Sequence, residues 1–456
     1  MAGSPSVFDW RATTAFERFL YRCDPGGPSM TFRIEIGFDH PVCPERMQNA
    51  IAQTSTRHPI LFCRLTQNQH HWIWEPCPMN PSEWLGVSHS PDALPAIDPT
   101  TSAGFRFSQG RGADDVQRLA FDFHHASVDG IAAAKWTAGV LRCYHDENPI
   151  DGGREHRAKD DIVQGQLRQR HKMPVPDHGP PIGFLEGLRN LWSTIRGKSI
   201  RYAPLTTRQS DFVGQSGDPS EPQADNDHVV SLNLPPHLSQ RSREFVAQSK
   251  IPLNDVAVAA TFRMLADDPA LRHQHGRLMI NNPVNLRTIR QRRFSACNYT
   301  GLAFLRRHGQ EVRRHDLLSG LHREMNYIRQ RCVAAEFLRG LEAVDPHPSA
   351  LRYIQRRRWF DATASMTCLS SVRIGRRHGA QPCEQGWQFG DNTLRSIRIV
   401  PPRPAGSSLA LSLNDSLGRL CLTARSDPTA LSFTETQDGL QRWVNHFSEL
   451  MLPSGR

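Results

Sequence analysis

The residues in this chain whose types and spacing could do chemistry lie in Phe121-Asp-Phe-His124-His125-Ala-Ser-Val-Asp129-Gly130. An imidazole titrates near neutral pH and can take a proton from a reacting group, which is general-base work. His125 is the candidate base. An aspartate four residues on, followed by a permissive glycine, predicts a tight loop in which Asp129 bonds backbone groups or a distant arginine and fixes the geometry of His125. The chain has 21 histidines. Multiplying residue frequencies still puts a chance match to His-His-x-x-x-Asp-Gly at roughly a few per thousand, so accident alone is a poor account. The competing reading is structural: two surface histidines ahead of a helix, with Asp129 capping it. No Cys or Ser sits in a recognisable nucleophile motif, so no covalent intermediate is expected.

Those side chains need a strand to deliver them and a helix to carry the chain away. The pattern predicts a strand over 119–123 and a helix over 130–144, with Ala132, Trp136, Val140 and Leu141 on its apolar face. Upstream, it predicts a helix over 12–22, an alternating strand over 31–38, and a helix over 44–53 that opens on a proline and runs towards Arg57-His-Pro-Ile-Leu61. Downstream come strands over 229–234, 278–286 and 299–305, and a helix that Asn254 is predicted to cap. One long helix is expected over 316–341, a hairpin around Asn414-Asp415, and a last helix over 434–450.

Strands and helices interleave throughout, which predicts an α/β class with mixed sheets (α+β in character) and two lobes, as the length of 456 residues also favours. The expected organisation is an N-terminal lobe over 1–150 that carries the motif, a linker or crossing region over 151–226, and a C-terminal lobe over 227–456. The crossing region is rich in Pro, Gly, Asp and Arg. It includes one amphipathic stripe, Phe184, Leu185, Leu188, Leu191, Trp192 and Ile195, which suits packing on a lobe, a lid or a membrane-facing helix.

Hydrophobic residues make up 38% of the chain, enough for ordinary cores, while no stretch approaches the roughly 18 apolar residues of a membrane span. The start lacks the pattern of a signal peptide, so the cytoplasm is the expected compartment. The ten cysteines are scattered from Cys23 to Cys421 without Cys-x-x-Cys or zinc-ligand spacing, and read as reduced thiols with no metal site. The net charge of +10 gathers in Arg287-Thr-Ile-Arg-Gln-Arg-Arg293, Arg356-Arg-Arg358 and Arg376-Arg-His378. These runs suit a solvated face, or an anionic membrane surface or phosphorylated ligand. No nucleic-acid module is recognisable, and no nucleic-acid partner is expected.

The ordered landmarks resemble the CoA-dependent acyltransferase superfamily with the chloramphenicol acetyltransferase fold, which includes condensation domains and wax ester synthase/diacylglycerol acyltransferases. Phe16-Glu-Arg-Phe19-Leu20 followed by Gly27-Pro-Ser-Met30 is similar to the start of the wax ester synthase branch. Arg57-His-Pro-Ile-Leu61 is similar to a condensation-domain segment, and His-His-x-x-x-Asp-Gly falls where the family has it. Pro252-Leu-Asn254-Asp255, Asn282-Pro-Val-Asn-Leu-Arg287 and Asn298-Tyr-Thr-Gly301 are similar to landmarks of the second half. The Asp-Phe-Gly-Trp-Gly motif of the plant branch is missing, Gln388-Phe-Gly-Asp-Asn392 not matching it. Near the place of Ser-Asn-Val-Pro-Gly-Pro in wax ester synthases the chain reads Leu369-Ser-Ser-Val-Arg-Ile-Gly375.

The resemblance implies two chloramphenicol acetyltransferase-like lobes with the active site in a channel between them. His125 would be the general base that deprotonates a hydroxyl or amine attacking a thioester carbonyl. Asp129 would pair with Arg287 of the other lobe, with His124 and Gly130 supporting the loop and Asn254 and Asn298 as candidate channel residues. No bound cofactor is implied. The donor would be acyl-CoA, favoured because the chain stands alone, or the acyl phosphopantetheine of a carrier protein. The acceptor would be a small alcohol or amine. Two alternatives stay open: an inactive condensation-domain-like binding module, and a basic protein that binds polyanions or membrane surfaces peripherally.

Overall fold

The structure is a computed structural model. It describes residues 10–23, 30–68, 71–77, 85–87, 94–112, 116–145, 164–172, 227–268, 277–287, 296–347, 349, 362–369, 381–383, 386–389, 392–404 and 406–452. The first half runs α1 (Ala15–Cys23), β1 (Thr31–Phe38), α2 (Pro44–Ser55), β2 (Cys63–Asn68), β3 (His71–Pro76), β4 (Leu85–Val87), β5 (Phe105–Arg111), β6 (Gln117–His124) and α3 (Gly130–His145). The second runs β7 (His228–Asn233), α4 (Pro236–Ser249), α5 (Leu253–Ala266), β8 (Arg277–Asn285), β9 (Thr300–His308), α6 (Leu317–Gln330) and α7 (Ala334–Val344). It closes with β10 (Ala364–Cys368), β11 (Gln381–Cys383), β12 (Gly386–Phe389), β13 (Asn392–Val400), β14 (Leu409–Ser416), β15 (Arg419–Ser426) and α8 (Phe433–Leu450).

These elements form the two lobes of an α/β fold with mixed sheets. The first is built on a seven-stranded sheet in the order β11-β12-β13-β1-β6-β5-β4, the second on a six-stranded sheet in the order β7-β15-β14-β10-β8-β9. Alternation in β1 sends Phe32, Ile34, Ile36 and Phe38 into the core beneath α2 and α3. Its other face, where one half-solvated side was expected, is buried as well. There Arg33 sits opposite Asp122 of β6 and pairs with it at 2.7 Å, because β1 is a central strand covered on both faces. In the second lobe α5 is buried along almost its whole length against the sheet and α8, and Trp443 Nε1 donates to Thr261 Oγ1 at 2.9 Å.

Some expectations need correction. The stretch 316–341 is two helices, not one. The chain breaks at Arg331-Cys332-Val333, where Cys332 takes a left-handed φ of 50°, a turn that no Gly or Pro announces. The hairpin turns at Leu417-Gly418, with φ of 57° and 88°, rather than at Asn414-Asp415. Asp415 instead accepts the Gly418 N–H at 2.7 Å, and Asn414 is buried, its amide donating to Ile397 O. Asn254 does not cap its helix: Pro252 holds that position, and Asn254 is the second helical residue. Helix α4 and strands β2 to β5 and β10 to β13 lie outside the elements that the sequence pattern predicts.

Residues 381–400, in the stretch expected to build the C-terminal lobe, instead supply β11, β12 and β13 to the first sheet. Strand β13 lies antiparallel to β1, with Arg33 opposite Val400 and Ile36 opposite Ile397. The described part of the crossing region, 164–172, packs on the first lobe through Arg170, whose buried guanidinium meets Glu17 at 2.9 Å. The amphipathic stripe from Phe184 to Ile195 and the Arg356 and Arg376 runs lie outside the described residues. No helix among the described residues is long and apolar enough to cross a membrane.

Candidate active site

Strand β6 ends at His124, and the chain then makes one tight loop before α3 begins at Gly130. The helix is locked from below. Trp136 is fully buried in a cage of Phe62, Phe105, Phe121 and Phe123, with ring centroids 4.7–6.1 Å away. Such aromatic packing fixes the helix start, and with it the loop. His124 points into the protein. Its Nδ1 accepts the Ala126 N–H at 3.1 Å, and burial together with the neighbouring His125 pushes its pKa down to about 3, so it stays neutral. Its carbonyl takes the Ser127 N–H and hydroxyl, and Ser127 also reaches Gly104 O. A side chain at Gly104 would lie 2.6 Å from the Ser127 Cβ, so only glycine allows this approach.

His125 turns the other way. Its N–H donates to Met30 O at 2.9 Å, its ring stands edge-on to Phe32 at 5.6 Å, and it lines a cavity of about 420 Å³ between the two sheets. The ring is half-buried, with Nδ1 on the buried side. Burial lowers its pKa below the ordinary histidine value, against the upward pull of its own carbonyl, the Asp129 carboxylate and the Asn298 amide. The imidazole is therefore neutral at pH 7 and able to accept a proton.

Asp129 fulfils both readings of its position at once. One oxygen, Oδ1, caps α3 by accepting the Ala132 N–H at 3.0 Å. The other, Oδ2, meets Arg287 Nη1 at 2.7 Å, the Tyr299 N–H at 2.8 Å and the Thr300 hydroxyl at 3.2 Å. Burial alone would raise its pKa; Arg287 and the hydrogen bonds outweigh that and hold it below the usual carboxylate range. Arg287, just past β8, also donates to Cys297 O at 2.8 Å and Asn285 Oδ1 at 3.3 Å, and its side chain is 3% exposed.

The stretch 296–300 thus lies along the motif loop and is fastened to it. Ala296 donates to half-buried His58 Nδ1 at 2.7 Å, and Asn298 Nδ2 donates to the carbonyls of His125 and Ala126 at 2.9 and 2.7 Å. His58 belongs to Arg57-His-Pro-Ile-Leu61; burial and then Arg57 push its pKa down to about 3, which keeps it an acceptor. Sequence reasoning placed Asn298 in the channel. The structure places it beneath the loop, outside the large cavity, while Asn254 does line it and pairs with Asn282 through mutual amide contacts of 3.1 Å. Gly130 lines it too, with Leu369 close overhead. Gly104 and His58 were missed as loop supports, since their partners Ser127 and Ala296 are far away in sequence.

Two unlike walls enclose the cavity. Phe16, Phe19 and Leu20 of α1, with Met30 and Phe32, make one wall apolar. The second sheet faces it with the run Asn281 to Asn285 on β8, with alternate residues Thr300, Leu302 and Phe304 on β9, and with Ser365, Thr367 and Cys368 on β10. Arg329 lies on the lining too, its guanidinium engaged by the buried Asp255 through two contacts of 2.8 Å. Among the described residues no group of His, Cys, Asp and Glu is arranged to hold a metal ion.

No protein-family model and no curated protein sequence matches the chain. Solved structures do. The first condensation domain of the calcium-dependent antibiotic synthetase, in complex with a substrate analogue, matches with a TM-score of 0.63 at 14% identity, over 97% of this chain and 96% of that one. The trichothecene 15-O-acetyltransferase of Fusarium sporotrichioides matches with a TM-score of 0.64 at 12% identity, over 97% and 95%. A variant of the starter condensation domain of rhizomide synthetase in complex with C8-CoA matches with a TM-score of 0.59 at 12% identity, over 98% and 96%. The chain therefore has the two-lobed fold shared by condensation domains and CoA-dependent acetyltransferases.

Proposed function

We propose that this protein is an acyltransferase that moves an acyl group from a thioester, acyl-CoA in the first instance, to a hydroxyl or amine, with His125 as general base. One observation carries the reading. A neutral histidine, on a loop clamped by a buried Asp129–Arg287 pair, faces a cavity between two lobes of this fold. In the reaction His125 Nε2 takes the proton of the acceptor O–H or N–H as its oxygen or nitrogen bonds to the thioester carbonyl carbon. The tetrahedral adduct collapses, the C–S bond breaks, and the imidazolium returns its proton to the leaving thiolate. Asp129 and Arg287 hold the loop and touch no substrate. Hydroxyl and amide groups on the second sheet, among them Ser365 and Asn281, line the same cavity and are the donors proposed for the oxyanion.

The apolar wall of α1 and residues 30–32 suits a hydrocarbon acyl chain rather than acetyl, and a neighbouring fold was solved with C8-CoA. The test is thiol release from acetyl-, butyryl-, hexanoyl- and octanoyl-CoA with mixed alcohols and amines, comparing the unaltered protein with His125→Ala. Turnover should fall by roughly 10²–10⁴ in the variant while the protein stays folded. Across the series kcat/KM should climb about fourfold per added methylene until the cavity is full, since each buried methylene contributes about 0.8 kcal/mol. A flat series would remove the chain preference, and turnover indifferent to His125 would remove the mechanism.

A further inference from the structure

The large cavity does not stop at the second sheet. Strands β8 and β10 lie parallel and, among the described residues, pair only at Ile280–Ala364 and Asn281–Ser365. Beyond that point each keeps its outer neighbour, β8 pairing with β9 as far as Asn285–Thr300 and β10 with β14 as far as Cys368–Leu413. The two strands have parted, and a side chain bridges them: Asn282 Nδ2 donates to Met366 O at 2.6 Å. Successive side chains of a strand point to opposite faces, yet the cavity is lined by Asn282 and Val284 as well as by Asn281, Pro283 and Asn285. Val284 and Met325 belong to the core between this sheet and its helices, and Met325, Asn254 and Arg329, all from those helices, line the cavity too. An arm of the cavity therefore passes between the parted strands to the start of α5 and the end of α6.

Arg329 is the charged side chain that this arm reaches, and a closed ring of hydrogen bonds fixes its place. Its Nη1 and Nη2 donate to the two oxygens of the fully buried Asp255 at 2.8 Å, and Nη2 also donates to Asn326 Oδ1 at 2.9 Å. Asn326 therefore turns its Nδ2 to His322 Nε2 at 3.0 Å, and His322 Nδ1 donates to Asp255 Oδ2 at 2.9 Å. Of the guanidinium's N–H groups, Nε–H and the second of Nη1 have no partner among the described residues, and the side chain is 30% exposed. A guanidinium held still with donors to spare suits a carboxylate, because little entropy is left to lose on binding. We infer that this arm is a subsite for a substrate that carries a carboxylate away from its reacting group, and that Arg329 recognises it. Asp255, Asn326 and His322 are positioning residues that hold the guanidinium. The carboxylate has two possible sources: an acceptor that is a hydroxy or amino acid, or an acyl group that ends in an acid. The inference rests on the acyl-transfer reading and adds what the site selects.

The test is ligand-observed NMR on the full chain, giving Kd for acids and their neutral counterparts. The acceptor set is lactate against lactamide, hydroxycaproate against its amide, and leucine against leucinamide. The donor set is glutaryl-CoA against valeryl-CoA and adipyl-CoA against hexanoyl-CoA. In one set the acid should bind about tenfold tighter than its counterpart, the low end for a charged hydrogen bond, because Asp255 already shares the charge. A preference in the acceptor set makes the carboxylate the acceptor's, and one in the donor set makes it the acyl group's. Arg329→Gln alone would leave Asp255 a buried unpaired charge. The working variant is therefore Asp255→Asn/Arg329→Gln, which removes both charges, checked for folding by circular dichroism. It should bind each acid no tighter than its counterpart. Equal affinities within every pair of the unaltered protein would overturn the proposal, and so would a preference that survives in the folded double variant. Binding needs no turnover, so failure here is distinguishable from failure of the acyl-transfer reading.

Discussion

Replacing Asp129 by alanine removes the carboxylate on which two lobes and a helix start converge. Four contacts go at once: Arg287 at 2.7 Å, the N–H groups of Ala132 and Tyr299, and the Thr300 hydroxyl. With the Arg287 side chain only 3% exposed, its charge has no route to water, and breaking such a pair from one side costs about 3–5 kcal/mol. Arg287→Ala should sit at the low end of that range, because Asp129 keeps its other three donors. Asp129→Ala should sit at the high end, because Arg287 keeps only Cys297 O and Asn285 Oδ1 and three further donors are orphaned. The double variant leaves no buried charge, so it should cost less than the sum of the two singles by about 2–3 kcal/mol. Urea denaturation of the four proteins measures this cycle. Additivity within about 0.5 kcal/mol, or an Arg287→Ala more damaging than Asp129→Ala, would refute the reasoning.

Other outcomes follow from the same geometry. Because Asp129 titrates below its unfolded value, the stability it contributes is full above about pH 4 and is lost as pH falls through its depressed folded pKa. Acid unfolding of Asp129→Asn should therefore show a shallower loss there. Since burial lowers the His125 pKa, the basic form persists below the ordinary histidine range, and the acid limb of kcat/KM should fall below about pH 6.5. Gly301→Ala would drive a Cβ into the Ala334 backbone carbonyl at the start of α7, and should destabilise by about 1–3 kcal/mol in the same urea assay. Burial, then Cys77, pushes the Cys63 thiol up to about 12, and burial pushes Cys297 up to about 11. Both should resist a thiol reagent at pH 8 that modifies exposed Cys43 at once.

What could be read in the sequence was what repeats locally. The alternation in 31–38 and the apolar face from Ala132 to Leu141 gave β1 and α3 nearly to the residue. The spacing of His125 and Asp129 gave the loop, and the resemblance gave Arg287 as the partner. The losses have physical causes. Periodicity runs straight through Arg331-Cys332-Val333, because the break is a single left-handed Cys332 rather than a Gly or Pro. Asn414-Asp415 has turn-like composition, but Asn414 is held in the strand by a hydrogen bond to β13, which no local pattern encodes. The role of Asn298 depends on carbonyls some 170 positions away in the chain. Long-range hydrogen bonding leaves no period to read.

The position of β13 beside β1 bears on how this protein can come into being. The central strand of the first sheet finds one of its two neighbours only after residue 400 has been made, so Arg33 must wait for Val400. Until then β1 is an edge, with Phe32, Ile34 and Ile36 alongside an unpaired row of backbone groups, the kind of edge that recruits other chains. Pairings this distant also fold slowly. A nascent or truncated N-terminal half would thus be a client for chaperones rather than a separable domain. Attempts to express the motif-bearing lobe alone should yield aggregate unless residues 381–400 are supplied with it.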